Sequence, residues 1–227
     1  MRLVHADDPG ADEAAAALAA GHVVVLPTDT VYGLAARPDR AEAVRAVFAA
    51  KGRPEGMPLP LLAADEAQVR ALGVAFTPAA GALARRWWPG PLTLAFGFRA
   101  SGARPPWLRG RDEVAVRVPD HDFLRALLGR TGVLAVTSAN RHGAPTPLEA
   151  DQVAAVLGVD LAAGVGATRD VDADAAPVVA VVVDGGRLRD VPSTLVNVHG
   201  PRAVVEREGA IAAAAIAGAL AQAGVAP

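Results

Sequence analysis

His22 to Pro27, "HVVVLP", runs straight into Thr28 to Leu34, "TDTVYGL". The first half is a short β-branched run, the signature of a buried strand. The second half is small and polar: two hydroxyls (Thr28 and Thr30), one carboxylate (Asp29) and the single tyrosine of the chain, Tyr32. Open α/β sheets bind ligands just beyond strand ends, so this segment is a candidate ligand loop. A turn in which Asp29 bonds its own backbone fits the same residues equally well.

Outward from that stretch the pattern alternates. Ala11 to Ala20 reads as a helix, with Asp12 and Glu13 in its first turn and Gly21 as a stop. Asp39 followed by Glu42 resembles a capping box, and the helix behind it would place Val44, Val47 and Phe48 on one face. Further strands are expected at "LTLAFGF", "VAVRV", "VLAVT", "VVAVVV" and "STLVNV". Helices are expected at Pro78–Arg86, Asp120–Leu128 and Leu148–Leu157. Strands interleaved with helices predict an α/β fold, a single-domain twisted mixed (parallel and antiparallel) sheet covered by helices. The short connections late in the chain supply the antiparallel part. Leu161 to Pro177 reads as a small, acidic loop. No linker divides the chain, so residues 1–211 are expected to form one domain, with an Ala-rich helix over 212–227 packed on it or trailing it.

Composition narrows the chemistry. At 227 residues the chain can bury a sizeable core, and a net charge of −2 gives no global reason for nucleic-acid binding. A basic site must therefore be local. With no cysteine, disulfides, zinc–cysteine sites and thiol catalysis are excluded. The five histidines are scattered without metal-ligand spacing. "GVGATR" at Gly164 lacks the third glycine of a dinucleotide fingerprint, and there is no phosphate-binding Gly-Lys-Ser/Thr loop. No Gly-x-Ser-x-Gly elbow or triad is evident. The N-terminus turns acidic at once and no apolar run reaches the ~18 residues of a membrane span. A cytoplasmic protein is the expectation.

With the Thr28–Leu34 segment, six polar segments remain. "KGRP" holds the one lysine in the chain, Lys51, two residues from Arg53; the other basic side chains are all arginine. A compact ammonium and a planar fork on a Gly/Pro-restrained loop can meet one polyphosphate from two directions. Basic residues at a helix C-terminus also complement the macrodipole without any ligand. In "VAVRVP", alternation puts Arg117 on the face opposite Val114, Val116 and Val118, as the wall of an anion-holding cavity or as an edge arginine in solvent. "TSAN" offers Thr137, Ser138 and Asn140 to a small polar ligand or to a turn. Ser193 and Thr194 in "PSTLV", and Arg207 in "REGAI", complete the set, Arg207 reaching an anion from a loop or pairing with Glu206 or Glu208. Together they fit a site that binds a polyanion and a small zwitterion, where catalysis is positioning and charge stabilisation.

In this order and spacing, "PTDTVYGL", "AKGRP", "VAVRVP", "TSAN", "PSTLV" and "REGAI" resemble the YrdC/TsaC-like L-threonylcarbamoyladenylate synthases, from about Leu3 to about Ile211. The resemblance implies a YrdC-like sheet with a concave basic face. It implies formation of threonylcarbamoyl-AMP and pyrophosphate from L-threonine, bicarbonate and ATP. A separate tRNA-modification complex would then transfer the threonylcarbamoyl group to adenosine 37 of tRNAs decoding ANN codons. Direct tRNA contact would be weak or indirect, and no membrane would be involved. Mg²⁺ would arrive with ATP, with no protein-bound metal site. Lys51 and Arg53 would be catalytic. These two, with Ser138, Asn140 and Arg207, would bind the nucleotide. Thr30, Tyr32, Arg117, Ser138 and Ser193 would bind threonine. Many relatives carry Asn and His where this chain has Met57 and Leu62. The alternatives are an RNA-binding module and a non-catalytic nucleotide-binding paralogue; a long carbamoyl-adenylate enzyme would carry the cysteines this chain lacks.

Overall fold

The computed structural model describes residues 2–52, 59–100, 104–141, 143–157, 179–189 and 191–225. In chain order, β1 (Arg2–His5), α1 (Asp8–Ala19), β2 (Val23–Leu26), β3 (Gly33–Ala36) and α2 (Ala41–Lys51) come first. β4 (Leu61–Leu62), α3 (Glu66–Ala71), α4 (Pro78–Trp87), β5 (Leu92–Gly97) and β6 (Glu113–Arg117) follow. Then come α5 (Asp122–Thr131), β7 (Leu134–Ser138), α6 (Ala150–Val156) and β8 (Val179–Asp184). β9 (Thr194–Asn197), β10 (Val204–Arg207) and α7 (Ala213–Gln222) close the order.

The described strands form one sheet in the order β1-β8-β2-β3-β7-β4-β6-β5-β9-β10. The sheet is mixed, as expected. β8 lies between β1 and β2 and is parallel to both, while β3 runs antiparallel to its neighbours β2 and β7. β4 joins the halves, antiparallel to β7 and parallel to β6. All four residues of β2 are buried, which explains its unbroken apolar reading: both faces of this strand are covered. One face packs Val23, Val25, Leu34, Leu61, Leu94 and Val116 against α2, α4, α6 and α7. The other packs Val24, Leu26, Leu62 and Val136 against α1 and α5.

Helix ends follow local chemistry. Asp7, Asp65 and Thr77 accept the backbone N–H groups of Gly10, Gln68 and Ala80, and prolines open α1 and α4. The expected Asp39–Glu42 capping box does not form. Arg40 occupies the N-cap of α2 without a side-chain bond, because Asp39 is taken by Arg37 at 2.7 Å and Glu42 by Arg45. Gly52 ends α2 in the left-handed conformation, φ 61°, where a side chain would be strained. Arg207 is the last residue of β10, not a loop residue.

The second core stops at β4. Beyond it, on the same face, the sheet presents Arg117 from β6 and, paired directly across from it, Thr93 from β5. The polar site is built where that apolar cover ends. The stretch from Leu161 to Pro177 lies outside the described residues, as do Arg53 and Met57. Among the described residues no helix is long and apolar enough to cross a membrane.

Candidate functional site

Arg117 is the centre of the site. β6 lies between β4 and β5, so Arg117 is not at an edge, and the residue is 5% exposed. Its neighbours in alternation, Val114, Val116 and Val118, enter the first core, which leaves the guanidinium on the opposite face. There Nε donates to the Gly90 carbonyl at 2.9 Å, Nη1 to Thr30 Oγ1 at 2.8 Å and Nη2 to Asp29 Oδ1. Among the described residues three of its five N–H donors are engaged, which leaves one on each terminal nitrogen.

The ligand loop supplies two of those partners. Thr28 organises it: its hydroxyl accepts from the N–H of Thr30 and of Val31 and donates to the Val31 carbonyl at 2.7 Å. The Thr28 and Thr30 hydroxyls also lie 3.0 Å apart. Thr30 thus carries Arg117 on its lone pair while Thr28 holds it in place. Gly33 follows because a Cβ there would lie 2.5 Å from Val136 Cγ1. Tyr32 is fully buried, and its hydroxyl donates to the Gly186 carbonyl at 2.7 Å and accepts the Gly185 N–H at 3.1 Å. Burial, with the nearby Asp184 charge adding to it, pushes its pKa up to about 12. The tyrosine therefore ties the loop to the end of β8.

Ser193 and Arg207 form the adjoining wall. The Ser193 hydroxyl lies 2.8 Å from Thr93 Oγ1, and Arg207 donates to the Ser193 carbonyl at 2.9 Å and approaches its hydroxyl at 3.3 Å. The Arg207 guanidinium is pushed below its ordinary pKa, first by desolvation and second by the charge of Arg117. Among the described residues Arg207 bonds Ser193 and no carboxylate; Glu206 is taken by Asn197 and Glu208 by the Ala213 N–H. Two guanidiniums close enough to repel, one of them without a counter-ion among the described residues, leave positive charge there that could hold an anion. Thr194 locks this wall: its buried hydroxyl accepts from the N–H groups of Gly209 and Ile211 and donates to the Ile211 carbonyl at 2.7 Å.

Lys51, Ser138 and Asn140 make a second cluster. Lys51 is 4% exposed, and its ammonium donates to the Ser138 carbonyl, to the Asn140 carbonyl at 2.9 Å and to Asn140 Oδ1 at 3.1 Å. The Ser138 hydroxyl donates to Asn140 Oδ1, and Asn140 Nδ2 anchors to the Ala144 carbonyl. The clusters meet through the ligand loop, since Ser138 pairs with Gly33 across the sheet and Ala139 N–H bonds the Tyr32 carbonyl at 2.8 Å. His121 is the N-cap of α5, with Nδ1 accepting the Leu124 N–H at 3.4 Å. Burial pushes its pKa down, against the pull of Asp29, Asp122 and Asp120.

The sequence reading grouped Thr30, Tyr32, Arg117, Ser138 and Ser193 for threonine, and Lys51, Arg53, Ser138, Asn140 and Arg207 for the nucleotide. The structure bonds Thr30 to Arg117 and Lys51 to Ser138 and Asn140, but sets Arg207 against Ser193. Tyr32 is directed to the β8 loop, and Arg53 lies outside the described residues. Thr93 and His121 received no role in that reading, and Asp29 entered it only as a carboxylate of the loop or as a turn residue bonding its own backbone, a task the structure gives to Thr28. Thr93 had a legible signal: a hydroxyl alternating with Leu92 and Leu94 in a buried strand. Leu62 is an apolar member of the second core, paired with Arg117 across the sheet.

Comparison with known proteins adds to this geometry. The Sua5/YciO/YrdC family model, described as "Telomere recombination", matches residues 16–209. A Bacillus subtilis threonylcarbamoyl-AMP synthase is 40% identical over 149 residues, 65% of this chain and 43% of the relative. The Pyrococcus abyssi Sua5 structure complexed with L-threonine superposes with a TM-score of 0.79 at 30% identity, over 97% of this chain and 61% of that one. Escherichia coli YciO, at 22% identity and TM-score 0.72 over 92% of this chain and 95% of that one, shares the fold. The chain thus spans less than half of the Bacillus protein and about three fifths of the Pyrococcus one.

Proposed function

This chain belongs to the Sua5/YciO/YrdC family, and on that premise we propose that it is a threonylcarbamoyl-AMP synthase. The substrates are L-threonine, bicarbonate and ATP with its Mg²⁺; the products are threonylcarbamoyl-AMP, pyrophosphate and water. A separate complex would pass the threonylcarbamoyl group to adenosine 37 of tRNAs that decode ANN codons. The observation that carries the reading is the buried Arg117, held from three sides and, among the described residues, with a donor left on each terminal nitrogen, beside an Arg207 that has no counter-ion among them. One guanidinium suits a substrate carboxylate and the other a phosphate.

Threonine's carboxylate would lie on Arg117, flanked by Thr30 and Ser193. Its amine attacks bicarbonate, water leaves, and a carbamate oxygen then attacks the α-phosphorus of ATP as pyrophosphate departs. Arg207, Lys51 and Arg53 would stabilise charge on the phosphates, and Ser138 and Asn140 would line the nucleotide. In the structure Lys51 holds the carbonyls of Ser138 and Asn140. It would therefore shape that loop as well as approach the phosphates. No side chain is assigned as general base.

The test is pyrophosphate release that requires threonine and bicarbonate together. Lys51→Ala should abolish it with the fold retained by circular dichroism. Turnover near that of the unsubstituted protein would remove Lys51 from the mechanism.

A further inference from the structure

Asp29 is more than the counter-ion of Arg117. Its Oδ1 pairs with Arg117 Nη2, whereas Oδ2 is buried and has no hydrogen-bond partner among the described residues. A carboxylate oxygen removed from water without a donor is costly, and such atoms are usually matched by a ligand or by water. The side chain as a whole is 12% exposed, and it is bonded to Arg117, whose guanidinium lies on the site face of β6. Its surroundings are polar: Thr30 and Arg117 on one side, with His121 near enough to feel its charge.

The chemistry of the proposed reaction decides which donor it takes. A substrate carboxylate on the two remaining Arg117 donors brings the groups on the α and β carbons next to Asp29. A carboxylate paired with the ammonium would hold it protonated, and a protonated amine cannot attack bicarbonate. The β-hydroxyl takes no part in the reaction and can serve recognition alone. Resting on the synthase reading, we infer that Asp29 Oδ2 accepts the β-hydroxyl of the amino-acid substrate, making Asp29 a specificity-determining residue for β-hydroxy amino acids. A site built around such an acceptor rejects analogues that lack the donor, because the oxygen is then left buried and unpaired.

The experiment is calorimetric titration of the unsubstituted protein, Asp29→Asn and Asp29→Ala with L-threonine, 2-aminobutyrate (no hydroxyl) and 3-hydroxybutyrate (no ammonium). The expected result is that the unsubstituted protein prefers threonine to 2-aminobutyrate by about tenfold or more. Each substitution should weaken threonine by a similar factor beyond its effect on 2-aminobutyrate. An equal loss for all three ligands makes Asp29 only a support for Arg117 and overturns the inference. A loss that disappears only for 3-hydroxybutyrate assigns Oδ2 to the ammonium and overturns it too. If both variants melt before titration, the unsubstituted protein decides, and equal affinity for threonine and 2-aminobutyrate overturns the inference. A protein that binds 2-aminobutyrate and threonine alike but still releases pyrophosphate with threonine keeps the synthase reading. One that binds no amino acid removes both.

Discussion

At Arg117 geometry matters more than charge. Its three occupied nitrogens meet a carbonyl, a hydroxyl and a carboxylate in three directions, which an ammonium on a flexible stem cannot reproduce while still facing a ligand. Arg117→Lys should therefore raise KM for threonine by about tenfold or more in the pyrophosphate assay, with a smaller change in kcat. Tyr32 offers a clean spectroscopic check because it is the one tyrosine in the chain. Its tyrosinate absorbance should appear with a midpoint near pH 12 in the folded protein and near the ordinary value of about 10 after denaturation. The sign follows: the folded state resists ionisation, so the contribution of Tyr32 to stability is complete below about pH 10 and is lost as pH rises toward 12. A midpoint near 10 in both states would mean that the hydroxyl is not held by the β8 loop.

Among the elements, β2 and β8 were legible because burial on both faces leaves a near-continuous apolar signature, and β6 because its valines alternate with other residues. β3 was not. Its sequence, Gly-Leu-Ala-Ala, carries no β-branched or aromatic residue, and its pairing with β2 and β7 makes it a strand. β4 has two residues, too few for any periodicity, yet it joins the halves of the sheet. The site was read from residue types, which name donors and acceptors; Asp29 and His121 acquire meaning only from what the fold sets beside them. Two substitutions test the element-level account. Gly33→Ala should distort the β3–β7 pairing, because its Cβ would lie 2.5 Å from Val136 Cγ1, and should lower Tm by several degrees. Thr194→Val keeps the shape but leaves the Gly209 and Ile211 N–H groups without their acceptor. It should cost about 1–3 kcal/mol in denaturant unfolding and weaken nucleotide binding through Arg207.

For the molecule as a whole, the central fact is that β8 lies between β1 and β2, so Arg2 pairs with Val181 and Val23 with Val179. Seven of the ten described strands precede β8 in the chain, but the N-terminal end of the sheet is not continuous without it. Long-range pairing of this kind slows folding, since a large loop must close before any contact rewards it. A fragment ending at residue 157 should accordingly be protease-sensitive and should lack the cooperative unfolding transition of the whole chain; a cooperative transition in that fragment would contradict this topology. The same insertion sets an order of events on the ribosome. While the first ~180 residues emerge, β1 and β2 wait with unpaired edges for a strand that has not yet been made. The nascent chain is then at its most exposed to aggregation and to chaperone capture, and Asp184, at the end of β8, marks where that interval closes.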